Sequence, residues 1–276
     1  MIKPLKILPV FLVLIAFTFS ACSKVPSRPV SPEPTARIKL ADDLYLRQIG
    51  DGAYVITHSY PWPANSLLVE MAAGTLVWAG STYTPEAARM VLDWAQQQFG
   101  QRPIVAIDTG YHVDNLGGNQ ALLEAGFPVY GSDLTVQLLQ TKNEQFRQLM
   151  LNMIGDEQSP YYIAYEKMEF FPPDQVFPIE EGLTLTFAGE QVQVYYPGPS
   201  QAPDKLVVYF PARKLLFGSC MVLGGDQIGN TADADLANWP EAIRKLEQFD
   251  VEVVVPGHGD RLDPGLIQHT LDLLSP

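Results

Sequence analysis

Three stretches of this chain share one construction: an apolar strand-forming run that stops abruptly at a short, polar, glycine-bearing loop. Residues 103–108 (PIVAID) lead into Thr109-Gly110-Tyr111-His112-Val113-Asp114-Asn115-Leu116-Gly117-Gly118. Residues 214–217 (KLLF) lead into Gly218-Ser219-Cys220, and residues 251–256 (VEVVVP) into Gly257-His258-Gly259-Asp260. Apolar runs without alternation are strands covered on both faces. Buried strands of one sheet end at one rim, and the loops of that rim are where sites are built. The pattern therefore predicts that His112, Asp114, Cys220 and His258 converge, with glycines beside them that let the backbone turn sharply.

The remaining chain reads as alternating blocks of strands and helices. Strands are predicted at LYLRQI, AYVITHS, SLLVEM and TLVWA between residues 44 and 79. Thr84-Pro85-Glu86 has the chemistry of an N-cap, a first-turn proline and a first-turn acid, and opens a helix that Gly100 stops. A short helix at 119–125, a strand at 128–131 and a long helix from Ser132 follow. Residues 155–178, rich in Tyr, Phe and Pro, read as a surface connection with room for a little helix. Strands resume at 183–188, 191–196, 205–210 and 214–217; a helix at 235–249, the strand 251–256 and a helix from about 264 complete the order. Strands followed by helices, repeated in both halves, predict an α+β fold: a four-layer αββα sandwich forming one domain over 38–276.

Composition narrows the chemistry. Eighteen basic against 31 acidic residues leave a net charge of −13, which excludes a nucleic-acid surface built on clustered Lys and Arg. Four His and two Cys exclude both a disulfide-stapled scaffold and a histidine-rich two-metal centre. Taken singly, each site residue has a plain alternative. His258 could be a turn histidine, Cys220 a small buried hydrophobe, and Asp114 a helix cap. Together they have metal-ligand chemistry, and coordination would protect a lone thiol in an oxidising compartment. His58 and His269 read as solvated surface histidines. Tyr60 and Trp62, in the Tyr-Pro-Trp-Pro loop after AYVITHS, could either flap over a substrate or simply pack.

The amino terminus has two lysines and then an apolar run from Ile7 to Phe19, the form of a secretory signal over 1–21. It ends Phe19-Ser20-Ala21-Cys22, which resembles the lipobox of bacterial lipoproteins. That resemblance implies cleavage before Cys22, lipidation of Cys22, and export to the periplasmic side. Ser23 after the cysteine favours the outer membrane. Residues 22–37, with four prolines, read as a tether. Loss of 1–21 takes two lysines and no acid, so the net charge passes from −13 to −15. So acidic a body leaves the lipid as the membrane anchor.

The ordered series Asn65-Ser66-Leu67-Leu68-Val69, Thr84-Pro85-Glu86-Ala87, Gly-Tyr-His-Val-Asp with Gly117-Gly118, Pro197-Gly198-Pro199 with Pro203-Asp204, Phe217-Gly218-Ser219-Cys220-Met221, Gly229-Asn230 and Val255-Pro256-Gly257-His258-Gly259 resembles the metallo-β-lactamase superfamily. The similarity runs over about 44–262 and implies the αββα fold and a zinc hydrolase. In that family one metal site uses three histidines. Here Gly110 and Gln201 stand at two of the three places and His112 at the remaining one. The other site is complete as Asp114, Cys220 and His258, which implies a single Zn²⁺, close to the mono-zinc pattern. Leu223 stands where many relatives have a lysine, and Gly80 or Ser81 where many have an aspartate.

By that analogy His112 is the general base on the attacking water with Asp114 nearby. Asn230 bonds the substrate carbonyl, and Tyr60, Trp62, Gln201 and Asn230 line the substrate site. The implied substrate is a small molecule with an amide bond, a β-lactam first. The competing expectation is a lipoprotein that binds zinc or a partner at a degraded, non-catalytic site.

Overall fold

The computed structural model describes residues 36–275; the signal, Cys22 and nearly all of the tether lie outside the described residues. Two sheets face each other. The first has eight strands in chain order: β1 (Arg37–Lys39), β2 (Leu44–Gly50), β3 (Ala53–Ser59), β4 (Pro63–Glu70), β5 (Leu76–Ala79), β6 (Ile104–Ile107), β7 (Val129–Ser132) and β8 (Gln175–Phe177). It is antiparallel from β1 to β5 and parallel from β5 to β8. The second sheet orders β13 (Val253–His258), β12 (Leu215–Leu223), β11 (Val207–Phe210), β10 (Glu190–Tyr195) and β9 (Leu183–Phe187), with only β12 and β13 parallel.

Strand alternation explains the layering. Along β4, Leu67 and Val69 face the second sheet while Leu68 faces outward; along β12, Leu215 and Phe217 face inward and Leu216 outward. The inward set meets Val55, Val77, Val208, Phe210, Val253 and Val255 to form the central core. The outward face of the first sheet packs Leu46, Ile56 and Trp78 against Ala88 and Val91 of α1 (Pro85–Phe99) and Leu122 of α3 (Asn119–Glu124). The outward face of the second packs Val207 and Val254 against Trp239 and Ile243 of α6 (Trp239–Arg244) and Leu266 of α7 (Leu266–Leu274). Each fully buried Leu or Phe contributes about 1.5–3 kcal/mol relative to exposure. The result is the expected αββα sandwich. The far end of β4 is tied to the second sheet by the buried pair Arg213–Glu190 (3.0 Å apart): Arg213 donates to Glu70 O, and Glu190 Oε2 accepts from Ala72 N at 2.7 Å.

Local signals placed most element starts. Thr84 Oγ1 accepts from Ala87 N at 3.2 Å and Gly100 ends α1 at φ +76°, where only glycine is unstrained. Ser132 Oγ caps the 22-residue α4 (Asp133–Ile154) through Thr135 N at 3.0 Å.

Two expectations are corrected. Residues 155–178 hold the little helix allowed for them, α5 (Pro160–Lys167), capped by Ser159, but also the unexpected edge strand β8, whose three residues, pairing only with β7, carry no sequence periodicity. The 235–249 helix starts at Trp239, because Asp235 Oδ1 accepts from Asn238 N at 3.0 Å and holds a turn first; a 3₁₀ turn at Lys245–Gln248 ends it.

His58 is also corrected. It is 3% exposed, its Nδ1 accepts the Tyr83 N–H at 3.1 Å and its Nε2 lies 3.7 Å from Asp43. Burial, partly offset by Asp43, lowers its pKa to about 4. The unfolded chain therefore binds a proton between about pH 6.5 and 4 that the folded chain refuses. Stability from this residue is complete above pH 6.5 and falls with pH through that window, by up to about 3 kcal/mol. His58→Gln, which keeps an acceptor for Tyr83, should flatten that part of the curve. Denaturant unfolding from pH 4 to 7 checks it; equal slopes in both proteins would refute it.

Candidate active site

The site sits where the two sheets meet at one edge, so its strands come from both sheets and not from one. β6 of the first sheet delivers the 109–118 loop, whose Val113–Leu116 forms the single turn α2 with Asp114 in it. Cys220 and His258 are on β12 and β13 themselves rather than in loops beyond them. β12 carries past Gly218 because its register against β13 shifts between Phe217 and Ser219, with Ser219 at φ +50°. Such a bulge re-aims the next side chain at the cost of local strain. Gly257 makes the crossing possible: a Cβ there would stand 2.5 Å from Cys220 N.

The ligand atoms of Asp114, Cys220 and His258 all lie within 4.8 Å of one another, the one such group of His, Cys, Asp and Glu among the described residues. Asp114 Oδ2 is 3.0 Å from Cys220 Sγ and 3.3 Å from His258 Nε2. His258 Nδ1–H donates to Pro63 O at 2.7 Å, which leaves Nε2 as the coordinating nitrogen. Asn115 Nδ2 donates to Asp114 Oδ1 at 2.7 Å, while its Oδ1 meets Thr109 Oγ1 at 2.7 Å and Ser219 Oγ at 2.9 Å. Asn65 Nδ2 bonds both Pro256 O (3.0 Å) and Gly259 O (2.8 Å) and so clamps the end of β13 that carries His258.

Burial works to raise the Asp114 pKa, but the His258 hydrogen bond and the charges of Lys205 and His258 outweigh it and hold the carboxylate far below its usual range. A carboxylate, a thiol and an imidazole held by their outer atoms make a donor set that fits Zn²⁺ and leaves a fourth position open. His258, 46% exposed at its side chain, marks the solvent side.

His112 is placed differently. Its ring stacks on Phe146 at 4.5 Å and 13°, and its Nε2 lies 3.1 Å from Asp233 Oδ2. Tyr111 OH donates to the same oxygen, and Lys142 Nζ is 3.8 Å from the other. The His112 bond, aided by Tyr111, holds Asp233 down to about 2. Burial and the nearby Lys205 charge lower the His112 pKa, against the pull of Asp233, which favours the neutral imidazole. Nε2–H then donates to Asp233 and Nδ1 keeps its lone pair.

Asp233 and Asn115 were not singled out in the sequence. Asp233 sits in a polar loop without a pattern, although Asn115 was visible as the residue after Asp114. Gln201 donates weakly from Nε2 to Asn230 O at 3.5 Å, and its Oε1 is buried without a protein partner. Asn230 Oδ1 is held by Ala232 N at 3.0 Å. Tyr60 packs edge-on against Tyr161 at 5.0 Å, and Tyr165 OH donates to Tyr60 O at 2.8 Å. Tyr60 and Trp62 therefore belong to the cluster under α4 and α5 that also buries Tyr111 and Val113. His269, half-buried on α7, lies 2.8 Å from Gly225 O. A cavity of about 580 Å³ between α1, α3 and β5 contains none of these residues.

The family model of the metallo-β-lactamase superfamily matches residues 59–258. The chain belongs to the metallo-β-lactamase superfamily. It is 29% identical over 216 residues to a metallo-β-lactamase type 2 of Bacillus cereus, covering 77% of this chain and 73% of that one. With the type 2 enzyme of Bacteroides fragilis it shares 25% over 257 residues, covering 90% and 92%. The solved metallo-β-lactamase of Pontibacter korlensis superposes with TM-score 0.67 at 32% identity, covering 84% of this chain and 98% of that one. A metallo-β-lactamase from Erythrobacter litoralis, at 21% identity and TM-score 0.66, shares the fold. Membership makes this chain a metallo-β-lactamase-like, metal-binding hydrolase. Within that family, Ser81 Oγ accepts from Gly118 N at 3.1 Å, and Leu223 is buried on β12, its N–H on Thr270 Oγ1 at 2.9 Å.

Proposed function

We propose that the protein hydrolyses the amide of a β-lactam with one zinc ion held by Asp114, Cys220 and His258. The observation that carries this reading is the meeting of those three ligand atoms within 4.8 Å, each backed by a separate hydrogen bond or strand crossing. Bound zinc supplies Lewis-acid stabilisation of developing negative charge. Asp114 keeps one oxygen for the metal because Asn115 holds the other. His112 Nδ1 takes the proton from the attacking water, and Asp233 stabilises the imidazolium formed while fixing its tautomer. Gln201 and Asn230, joined to each other, stand at the substrate side, with Asn230 reaching the carbonyl. The Tyr60–Trp62 loop supplies an apolar wall stiffened by α5 rather than a free flap.

In this reading the enzyme is anchored by the Cys22 lipid on the periplasmic face of the outer membrane. The support is the Phe19-Ser20-Ala21-Cys22 sequence and the acidic body.

Metal analysis of the purified chain with a panel of penicillins, cephalosporins and carbapenems tests the reading. About one zinc per chain with turnover of at least one class is expected. No zinc under replete conditions sinks the metal site. Zinc without any turnover moves the protein to a binding role. Membrane fractionation tests the anchor, which a soluble protein would contradict.

A further inference from the structure

Lys205 is 0% exposed, and its Nζ has no hydrogen-bond partner in the protein. Buried ammonium groups are rare without a partner or a task. Its surroundings locate it at the His112 end of the site. Leu206 N bonds Thr109 O at 3.0 Å, which lays the start of β11 against the 109–118 loop. There the side chain runs along Gly110: a Cβ on Gly110 would stand 3.0 Å from Lys205 Nζ and 3.1 Å from Lys205 Cδ. The same point is 3.3 Å from Asp204 Oδ1, another buried atom without a partner, while Asp204 Oδ2 accepts from Thr135 Oγ1 at 2.8 Å. Gly110, at φ +154°, thus has no side chain, and the room one would take is filled by lysine.

We infer that Lys205 is a built-in cation that takes the place of a second metal ion, commits the centre to one zinc, and keeps the His112 end positively charged. Two features agree. His112 presents Nε2 to Asp233 at 3.1 Å. Gln201 turns its amide nitrogen to Asn230. A fixed charge costs no metal and survives zinc scarcity, but it repels the zinc that is bound.

That repulsion gives the test, which rests on the one-zinc reading above. Zinc affinity is measured with zinc alone against a chromogenic chelator, on the full chain and on Lys205→Met, Lys205→Gln and Lys205→Arg, with thermal unfolding as the fold control. Both neutral variants are expected to bind zinc at least about tenfold more tightly than the parent, and Lys205→Arg within about threefold of it. A lysine that merely props the loop would loosen zinc when replaced. Equal or weaker binding in both neutral variants therefore overturns the inference while the one-zinc reading stands. A parent chain that binds no zinc overturns both.

Discussion

Cys220→Ala should empty the metal site and abolish turnover while leaving the fold in place. Cys220 is buried on β12 and its sulfur lies 3.0 Å from Asp114 Oδ2, so alanine removes one of only three protein ligands. Loss of groups that merely orient a ligand typically costs 10–100-fold in affinity, so loss of the thiolate itself should exceed about a hundredfold. The alanine Cβ keeps the backbone of the bulge, and removal of one sulfur from a tight site costs about 1 kcal/mol of stability. The competing view of Cys220 as a small buried hydrophobe expects that stability loss and no change in metal. Zinc content after dialysis, read beside circular dichroism, separates them. One zinc retained at parental affinity in a folded Cys220→Ala protein would remove Cys220 from the site.

Asp233→Asn is expected to lower kcat by roughly 10²–10⁴ with zinc content unchanged. The carboxylate accepts from His112 Nε2 and from Tyr111 OH on one oxygen, so it both sets the tautomer and stabilises the imidazolium. An asparagine can present its NH₂ to Nε2, which would then have to accept and leave the proton on Nδ1, the nitrogen needed as base. The metal ligands do not touch Asp233, which distinguishes this loss from that in Cys220→Ala. His112→Ala should fall at least as far, and the double variant should fall little further than His112→Ala alone, because the two act as a unit. Additive losses would show that Asp233 acts elsewhere. Parental kcat in Asp233→Asn would end the general-base role.

These two predictions draw on unequal kinds of information. Cys220 was legible only in company: alone it reads as a small buried hydrophobe, and the matching strand-end loops of Asp114 and His258 give it ligand chemistry. Asp233 was not, because nothing around Ala232 and Ala234 separates it from any solvated loop acid. The same contrast runs through the fold. β6, β12 and β13 were legible as fully buried strands, and the starts of α1 and α4 through Thr84 and Ser132. β8 was missed because three residues set no period. Sequence places His58 at the surface because the strand AYVITHS shows its composition but not that Tyr83 covers it.

The sequence alone singled out His112, Asp114, Cys220 and His258 and showed where most strands and helices begin, since caps, glycine turns and apolar runs act over a few residues. It also raised Gly110 and Gln201 as places where the family resemblance implies histidine. Only the tertiary structure decided that the converging strands come from two sheets, and that a bulge at Ser219 aims Cys220 at Asp114. Likewise only the fold joined Asp233 to His112 and laid Lys205 in the room beside Gly110. Those relations span tens to well over a hundred residues, and their energies are burial and unscreened charge. Neither exists in the chain until distant segments have been brought together and water has been excluded between them.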